Sequence, residues 1–561
     1  MLSWLLRPYT FASALLALLP TVTLAQQLPT WEWVSAVKTS RDIRSKAVKV
    51  DATGNTYVLG EFSAQARFGS TELTSKGWYD MFVAKYDPSG RLLWVRQAGT
   101  VVENPRPDNS WTDADGLALD TQGNVYVTGT CKGRTQFDAA ATSSPSTGAV
   151  YVAKYASTGT LRWVRTYGRG GGMGIATDGT NAYVVALTQT TASSSDFGPT
   201  LTKLDPEGNP LWITTVRSAA GNRIMFAERL QVEVGANRAV YFSGHFDGPA
   251  VLAAEAGRVT RLASVGTTTL FLACYSLDGS LQWARTGGAP GSHNINTGLA
   301  VDAAGNAIVT GVAQGAGATF GDVTLTARGE WDTYLVKYDA HGRVRWAQQE
   351  GGPQMDAGTA VDVDQAGNIY LAGYFYAGQA RYGATLLTGT ATYGNLALVR
   401  YDPQGRAQWG VTQQGGGNLF PAAVAVSPAG DVYMAGDYAN TVQLGPTLLE
   451  HEPRGVDQLA TLVAKLTNNE PALPPDSVTP LLVPNIITPN EDARNDAFRI
   501  AGLPAGTWSL SVFNRWGNQV FHTRTYRQDW QAQGLGEGSY YYILEEKSRN
   551  QILKGWLQVV R

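Results

Sequence analysis

Only two cysteines, Cys131 and Cys274, occur among 561 residues, so no disulfide framework organises this chain and no Cys-x-x-Cys spacing offers a zinc site. They stand at different points of the repeat described below, and buried thiols are expected rather than a bridge. Charge is scarce: Asp, Glu, Lys and Arg make up 16% of residues and the formal net charge is -2. That leaves no basic footprint for nucleic acid. The five histidines, His245, His293, His341, His451 and His522, fall in unrelated contexts, and no His-Glu-x-x-His, Gly-x-Ser-x-Gly or phosphate-binding loop is present. No catalytic residue is therefore named. The stretch GRGGGMG from Gly168 has no helix behind it and reads as a loose connection, not a dinucleotide loop. Long apolar runs are also missing. FASALLALLPTVTL is shorter than the roughly 20 residues a membrane helix needs. It is broken by Pro20, preceded by Arg7 and followed by Thr23-Leu24-Ala25. This predicts a signal peptide over residues 1–25 and no transmembrane segment in the mature chain.

What abounds is glycine and repetition. A phrase near Asp-x-x-Gly-Asn-x-Tyr-Val-x-Gly begins at Asp51, Asp120, Thr177, Val234, Asp302, Asp364 and Ser427. Six copies are followed by a second phrase of the form Lys-Tyr-Asp-Pro-x-Gly-x-x-x-Trp, starting at Lys85, Lys154, Lys203, Cys274, Lys337 and Arg400. Each unit supplies four short alternating or apolar runs, and its first and last pairs are joined by turns whose Gly accepts positive φ. Repeats of this size with four strands each predict an all-β, seven-bladed β-propeller over residues 26–466, because radial stacking buries both sheet faces. The seventh unit lacks its Trp-bearing strand. Trp33, however, precedes Gly54 by the same spacing that separates Trp346 from Gly367, so the N-terminal strand is expected to complete the last blade. The tryptophans at 33, 94, 163, 212, 283, 346 and 409 are then expected between blades.

The run GLALDTQGNVYVTG followed by VYVAKYASTGTLRWVRT resembles the SBBP-type β-propeller repeats of bacterial secreted and cell-surface proteins. That resemblance implies an architecture and no single activity.

Residues 467–483 carry Pro471, Pro474, Pro475 and Pro480 and read as a stiff linker. Residues 484–561 alternate well enough for a small Ig-like β-sandwich. Their blocks resemble the gliding-motility-associated C-terminal domain, the type B sorting signal of the type IX secretion system. The resemblance is carried by Asn485, Thr488, Pro489, Asn490, Asn495, Asp496 and Phe498, then by Phe513, Asn514, Arg515, Trp516 and Gly517. Trp530, Tyr540, Tyr541, Lys554 and Gly555 complete it. Where that family has a Gly-Asp-Gly-like turn, this chain has Glu491-Asp492-Ala493. The resemblance implies Sec export, engagement of the type IX machinery, and residence on the outer cell surface or in the medium.

Candidate binding residues come from topology. The tight turns share one rim, so the second-to-third and unit-to-unit connections emerge on the other. Asp80, Asp332, Asn395 and Asp457 precede third strands, and Asp115, Asn296 and Asp356 precede first strands. Such residues cap strand ends; converging around a mouth, they could instead bind sugar hydroxyls or a hard cation such as calcium. The insertion VVENPRPDNSWTDAD, with Trp111 and Asp113, breaks the repeat and is the loop expected to meet a partner. The leading expectation is a non-enzymatic adhesion or binding protein for a glycan or surface protein. The alternatives are an extracellular polysaccharide hydrolase or lyase and a structural part of the envelope or gliding apparatus.

Overall fold

The computed structural model describes residues 28–101, 111–138, 140–143, 147–189, 197–218, 229–253, 259–265, 267–315, 317–376, 378–452, 458–468, 483–490, 495–500, 503, 508–546 and 551–561. The expected signal peptide, most of the expected linker, Asp457 and Glu491-Asp492-Ala493 lie outside them. The chain divides into two compact units, Met1–Glu470 and Pro471–Arg561. Among the described residues every regular element is a β-strand.

In the larger unit the repeats fold as antiparallel four-stranded meanders. Asp42–Val50, Thr56–Ser63, Asp80–Tyr86 and Leu92–Thr100 pair in that order. Asn294–Val301, Ala307–Gln314, Trp331–Tyr338 and Val344–Glu350 do the same. So do Asp356–Val363, Ile369–Phe375, Asn395–Tyr401 and Ala407–Val411. The two middle strands are buried along their whole length, as in Thr56–Ser63 and Asp80–Tyr86, which is why they read as continuous apolar runs. At the end of the repeats, Asn418–Val426, Val432–Leu444 and Ala460–Thr467 supply three strands. The N-terminal strand Thr30–Thr39 pairs antiparallel with Ala460–Thr467, Val34 facing Ala464.

The repeated phrases owe their composition to two local devices. In the first turn, Asp51 Oδ1 accepts the amides of Thr53 and Asn55, while Oδ2 accepts the Asn55 side chain and the Tyr57 hydroxyl. Gly54 sits at φ +84 there, a region that costs other residues energy. In the second, six of the seven fourth-strand tryptophans donate their indole N–H to a carbonyl of the following unit's turn, whereas the Trp409 indole is buried without a partner. Trp33 reaches Pro88, Trp94 reaches Ser157, Trp163 reaches Pro206, and Trp346 reaches Pro403. The tryptophans thus pack between units. A Cβ on the turn glycine Gly90 would lie 2.5 Å from the Trp33 ring, so glycine is required for this seat.

Three features differ from expectation. The second-to-third connections are not open loops; several fold into short hairpins that pair with the outer strand of the preceding unit. Gln65–Phe68 joins Thr30–Thr39, Arg134–Phe137 joins Leu92–Thr100, and Ala250–Ala253 joins Pro210–Ser218. The phrases FGSTELT, FGDVTLT, YGATLLT and LGPTLLE were the available signal: a buried residue, a turn glycine and a β-rich return. The stretch at Gly168 is not loose either. It lies inside the single strand Leu161–Thr177, which pairs with Ala149–Tyr155 and then with Ala182–Gln189. A Cβ on Gly172 would lie 2.2 Å from Thr128 Oγ1, so the glycines admit close backbone approach. Both cysteines are free and buried.

The third difference concerns the smaller unit. Its described strands form one sheet in the order Ile486–Ile487, Gln551–Val559, Gly538–Glu546, Ser509–Phe513, Gln519–Thr523. The expected second sheet is absent among the described residues. Instead Phe498, Ile500, Trp508, Tyr526 and Trp530 cover the buried face from segments without strand pairing. Positive φ at Asn495, Gln528 and Ala532 interrupts regular pairing there.

Candidate binding site in a cavity between the innermost strands

One cavity is lined by short stretches of seven first strands: Ala47–Lys49, Gly116–Leu117, Gly174–Ile175, Val232–Glu233, Gly298–Leu299, Ala360–Val361 and Ala423–Val424. Lys49 Nζ and Glu233 Oε1 pair across it at 3.0 Å. Lys49 lies three residues further along its strand than Lys46, about 10 Å deeper, so the pair gives the cavity a charged floor.

Above it opens a second cavity of about 300 Å³, bordered by Ser45, Lys46, Asp113, Asp115, Thr130, Gly171–Met173, Arg229, Gln231 and Ala422. Asp113 and Asp115 are brought to it by a short extension of pairing: their amides donate to Thr130 and Thr128 carbonyls, both at 3.0 Å. Residues i and i+2 of extended backbone share a face. Asp113 also accepts the Thr130 amide, and the Tyr151 hydroxyl donates to the Asp113 carbonyl. Lys46 Nζ stands between Asp115 at 3.5 Å and Glu61 at 3.4 Å. Burial works against the lysine's charge, but Asp115 and Glu61 outweigh it and hold Lys46 above the usual lysine value. Burial, reinforced by Asp115, pushes the Asp113 carboxyl far above the ordinary range. Glu61 is raised by burial against the pull of Lys46. Arg229 is exposed and pairs with no carboxylate among the described residues.

The other named positions hold their own loops. Asp80, fully buried, accepts the amides of Lys76 and Gly77 and the Gln97 side chain. Asp332 does the same with Arg328, Gly329 and Gln349. Asn395 accepts the Ala391 amide and donates to the Ala391 and Phe375 carbonyls. Asn296 donates to Ser243 Oγ. Trp111 lies under the Lys132 ammonium, 4.6 Å from its ring centre. The geometry therefore brings Asp113 and Asp115 together at the cavity, whereas Asp80, Asp332, Asp356 and Asn395 cap their own loops. Lys46, Glu61 and Arg229 were missed because no repeat phrase marks them. Among the described residues no group of three or more His, Cys, Asp or Glu is arranged to hold a metal ion.

Asp356 accepts the Gly352 amide at 2.8 Å and is 1% exposed. Burial first, and Asp332 second, push its carboxyl to about 7. A raised native value means that the folded state keeps a proton the unfolded chain has released. Its contribution is full below about pH 4 and falls as pH rises towards 7, by about 1.4 kcal/mol per pH unit. Asp356→Asn should accordingly flatten the decline of stability between pH 4 and 7, as measured by denaturant unfolding. An unchanged pH slope would show that this carboxyl is ionised in the folded protein.

In the smaller unit, Asn514 Oδ1 accepts the amides of Trp516 and Asn518 and Gly517 takes φ +84. This turn leaves Trp516 71% exposed under Arg515. Trp530, Phe498 and Tyr540 are core, and Asn485 accepts the Gln558 amide. The Thr488 amide donates to the Asn495 carbonyl, beside Pro489, and the Asn490 amide donates to Asp496. Tyr541 meets the exposed Trp556 edge-on at 5.2 Å, Lys554 is exposed, and a Cβ on Gly555 would strike the Tyr542 hydroxyl. The motif thus divides into core residues and an exposed face.

In an alignment 458 positions long that covers 66% of this chain and 32% of the relative, the chain is 23% identical to an uncharacterized WD repeat-containing protein, L264, of Acanthamoeba polyphaga mimivirus. Among solved structures, it is similar to a puromycin hydrolase mutant (12% identity, 73% of this chain and 61% of that one, TM-score 0.32). It is also similar to a prolyl endopeptidase (8% identity, 92% and 55%, TM-score 0.37). Residues 481–559 match the CHU_C type IX secretion signal domain, and the chain is therefore one that is exported to the cell surface or secreted.

Proposed function

We propose that the exported chain is a seven-bladed β-propeller, closed by Thr30–Thr39 on Ala460–Thr467, that binds a glycan or a surface protein through the rim where its first strands begin. Support for the closed ring comes from the cavity lined by seven first strands and from contact between Asp42–Val50 and Asn418–Val426. The observation that carries the binding reading is the 300 Å³ mouth cavity, where Lys46, Asp113, Asp115 and Arg229 meet. It combines donors and acceptors above a charged floor, the kind of concave polar site that orients a ligand. Delivery is by the C-terminal unit, whose partner is the type IX machinery.

A screen of purified exported chain against immobilised glycans and cell-surface proteins tests this. Asp115→Asn and Arg229→Met should each weaken the detected interaction by about tenfold, the cost of one charge-assisted hydrogen bond, with melting curves unchanged. Equal affinity of both variants would move the site elsewhere.

A second reading, a polysaccharide hydrolase or lyase, is favoured by one observation. Burial pushes the Asp113 carboxyl up, while Asp115 has the Lys46 ammonium 3.5 Å away, so the two carboxyl groups sit in different environments. Such pairs divide acid and base roles. New reducing ends or unsaturated products from a polysaccharide, lost in Asp113→Asn, would establish it.

A further inference from the structure

At the same rim stands a row of aromatic rings. Phe420 meets Tyr374 edge-on at 5.1 Å, Tyr374 stacks on Tyr376 at 6.1 Å, and Tyr376 meets Tyr393 at 5.7 Å. All four come from first-strand beginnings, second-strand ends or the connection before a third strand. Phe420 precedes Ala422 of the mouth cavity by two positions on the same strand, Asn418–Val426. Tyr393 is 58% exposed. Its loop is nevertheless held: Asn395 clamps Ala391 from both sides, and the Tyr393 amide donates to Asn418 Oδ1 at 3.4 Å.

We infer that Tyr376 and Tyr393, continuous with the mouth cavity through Tyr374 and Phe420, form a stacking subsite for neutral pyranose rings. This rests on the binding reading above and selects its glycan branch. A pyranose has an apolar C–H face and equatorial hydroxyls that both donate and accept. The ledge supplies rings to stack on, and the mouth supplies Arg229 and Lys46 as donors and Asp115 and Gln231 as acceptors. A quaternary ammonium ligand also seeks aromatic faces, but it is held by several rings converging on one cation, and Tyr376 and Tyr393 stand edge-to-face in a row instead. A uronate would set its carboxylate against that of Asp115.

Titration calorimetry on the full exported chain with cellohexaose, mannohexaose, laminarihexaose and chitohexaose, and with oligogalacturonate as the acidic arm, tests the assignment. At least one neutral hexasaccharide should bind. Tyr376→Ala and Tyr393→Ala should each weaken it by about tenfold, and Tyr393→Phe and Tyr393→Trp should retain it within about threefold. A neutral sugar that binds both alanine variants within about twofold of the parent, yet is lost in Asp115→Asn, overturns the ledge and leaves the mouth reading standing. Binding of oligogalacturonate alone overturns the neutral-sugar assignment. Silence of every glycan and every surface protein overturns both.

Discussion

A chain ending after Asn468 is expected to fold and to remain in the periplasm, while the full chain reaches the cell exterior. The cut is placed there because Ala460–Thr467 pairs along its whole length and the Asn468 amide still bonds Asp431. Nothing in the repeat unit's own sheets is then lost. The smaller unit has a separate core built on Phe498, Leu510, Trp530 and Leu557, so fusing residues 467–561 to a foreign Sec-exported protein should carry that protein outward. The exposed face of its sheet, with Trp516 and Trp556 at 71% and 62% exposure, offers area for docking. Trp516→Ala and Trp556→Ala should reduce export without unfolding the domain, as exposed rings contribute to recognition more than to stability. Cell fractionation with an antibody to the repeat unit reads all of this. Appearance of the truncated chain on the surface would sink the sorting role.

Removal of residues 28–40 from the mature chain should have the largest effect on stability. It strips the fourth strand from Ala460–Thr467 and opens a sheet edge along seven paired positions from Thr30 to Val37, an invitation to aggregate. It also removes the Trp33 indole from the Pro88 carbonyl at 3.0 Å, a link from the sheet that holds Ala460–Thr467 to the first unit's turn. The Lys465 ammonium loses Glu32, 2.7 Å away. Repeat folds derive stability from neighbour contacts, so the deletion should melt far lower or precipitate. Trp33→Ala alone should cost less than the roughly 3–5 kcal/mol of a fully buried tryptophan, because the ring is only half-buried. Coincident melting of parent and deletion would refute ring closure.

Much of the repeat architecture is legible because it is local. Asp51, Gly54 and Asn55 form their turn with partners no more than six residues away, and the same partners recur at Asp120 and Asp364. The hairpin beginning at Gln65 is written as plainly in FGSTELT, while the one beginning at Arg134 has Asp138 at φ 46 in place of the turn glycine. Their destination is not written, since pairing with the preceding unit's outer strand depends on how units stack. The Gly168 stretch misleads for a related reason. Glycine there marks close approach of two backbones, and a single chain carries no record of the second.

The sequence by itself determined the repeat, its turns, the tryptophan seats and the sorting tail, all of which depend on neighbours a few residues away or on a contiguous block. Tertiary structure alone decided which polar groups meet. Asp80, Asp332, Asp356 and Asn395 look alike beside Asp113 and Asp115, yet the first four spend their oxygens and amides on their own loops. The last two face Lys46 and Arg229, which lie 69 and 114 residues from Asp115. A carboxylate's role follows from burial and from the charges opposite it, and those are set only when strands far apart in the chain are stacked around one cavity.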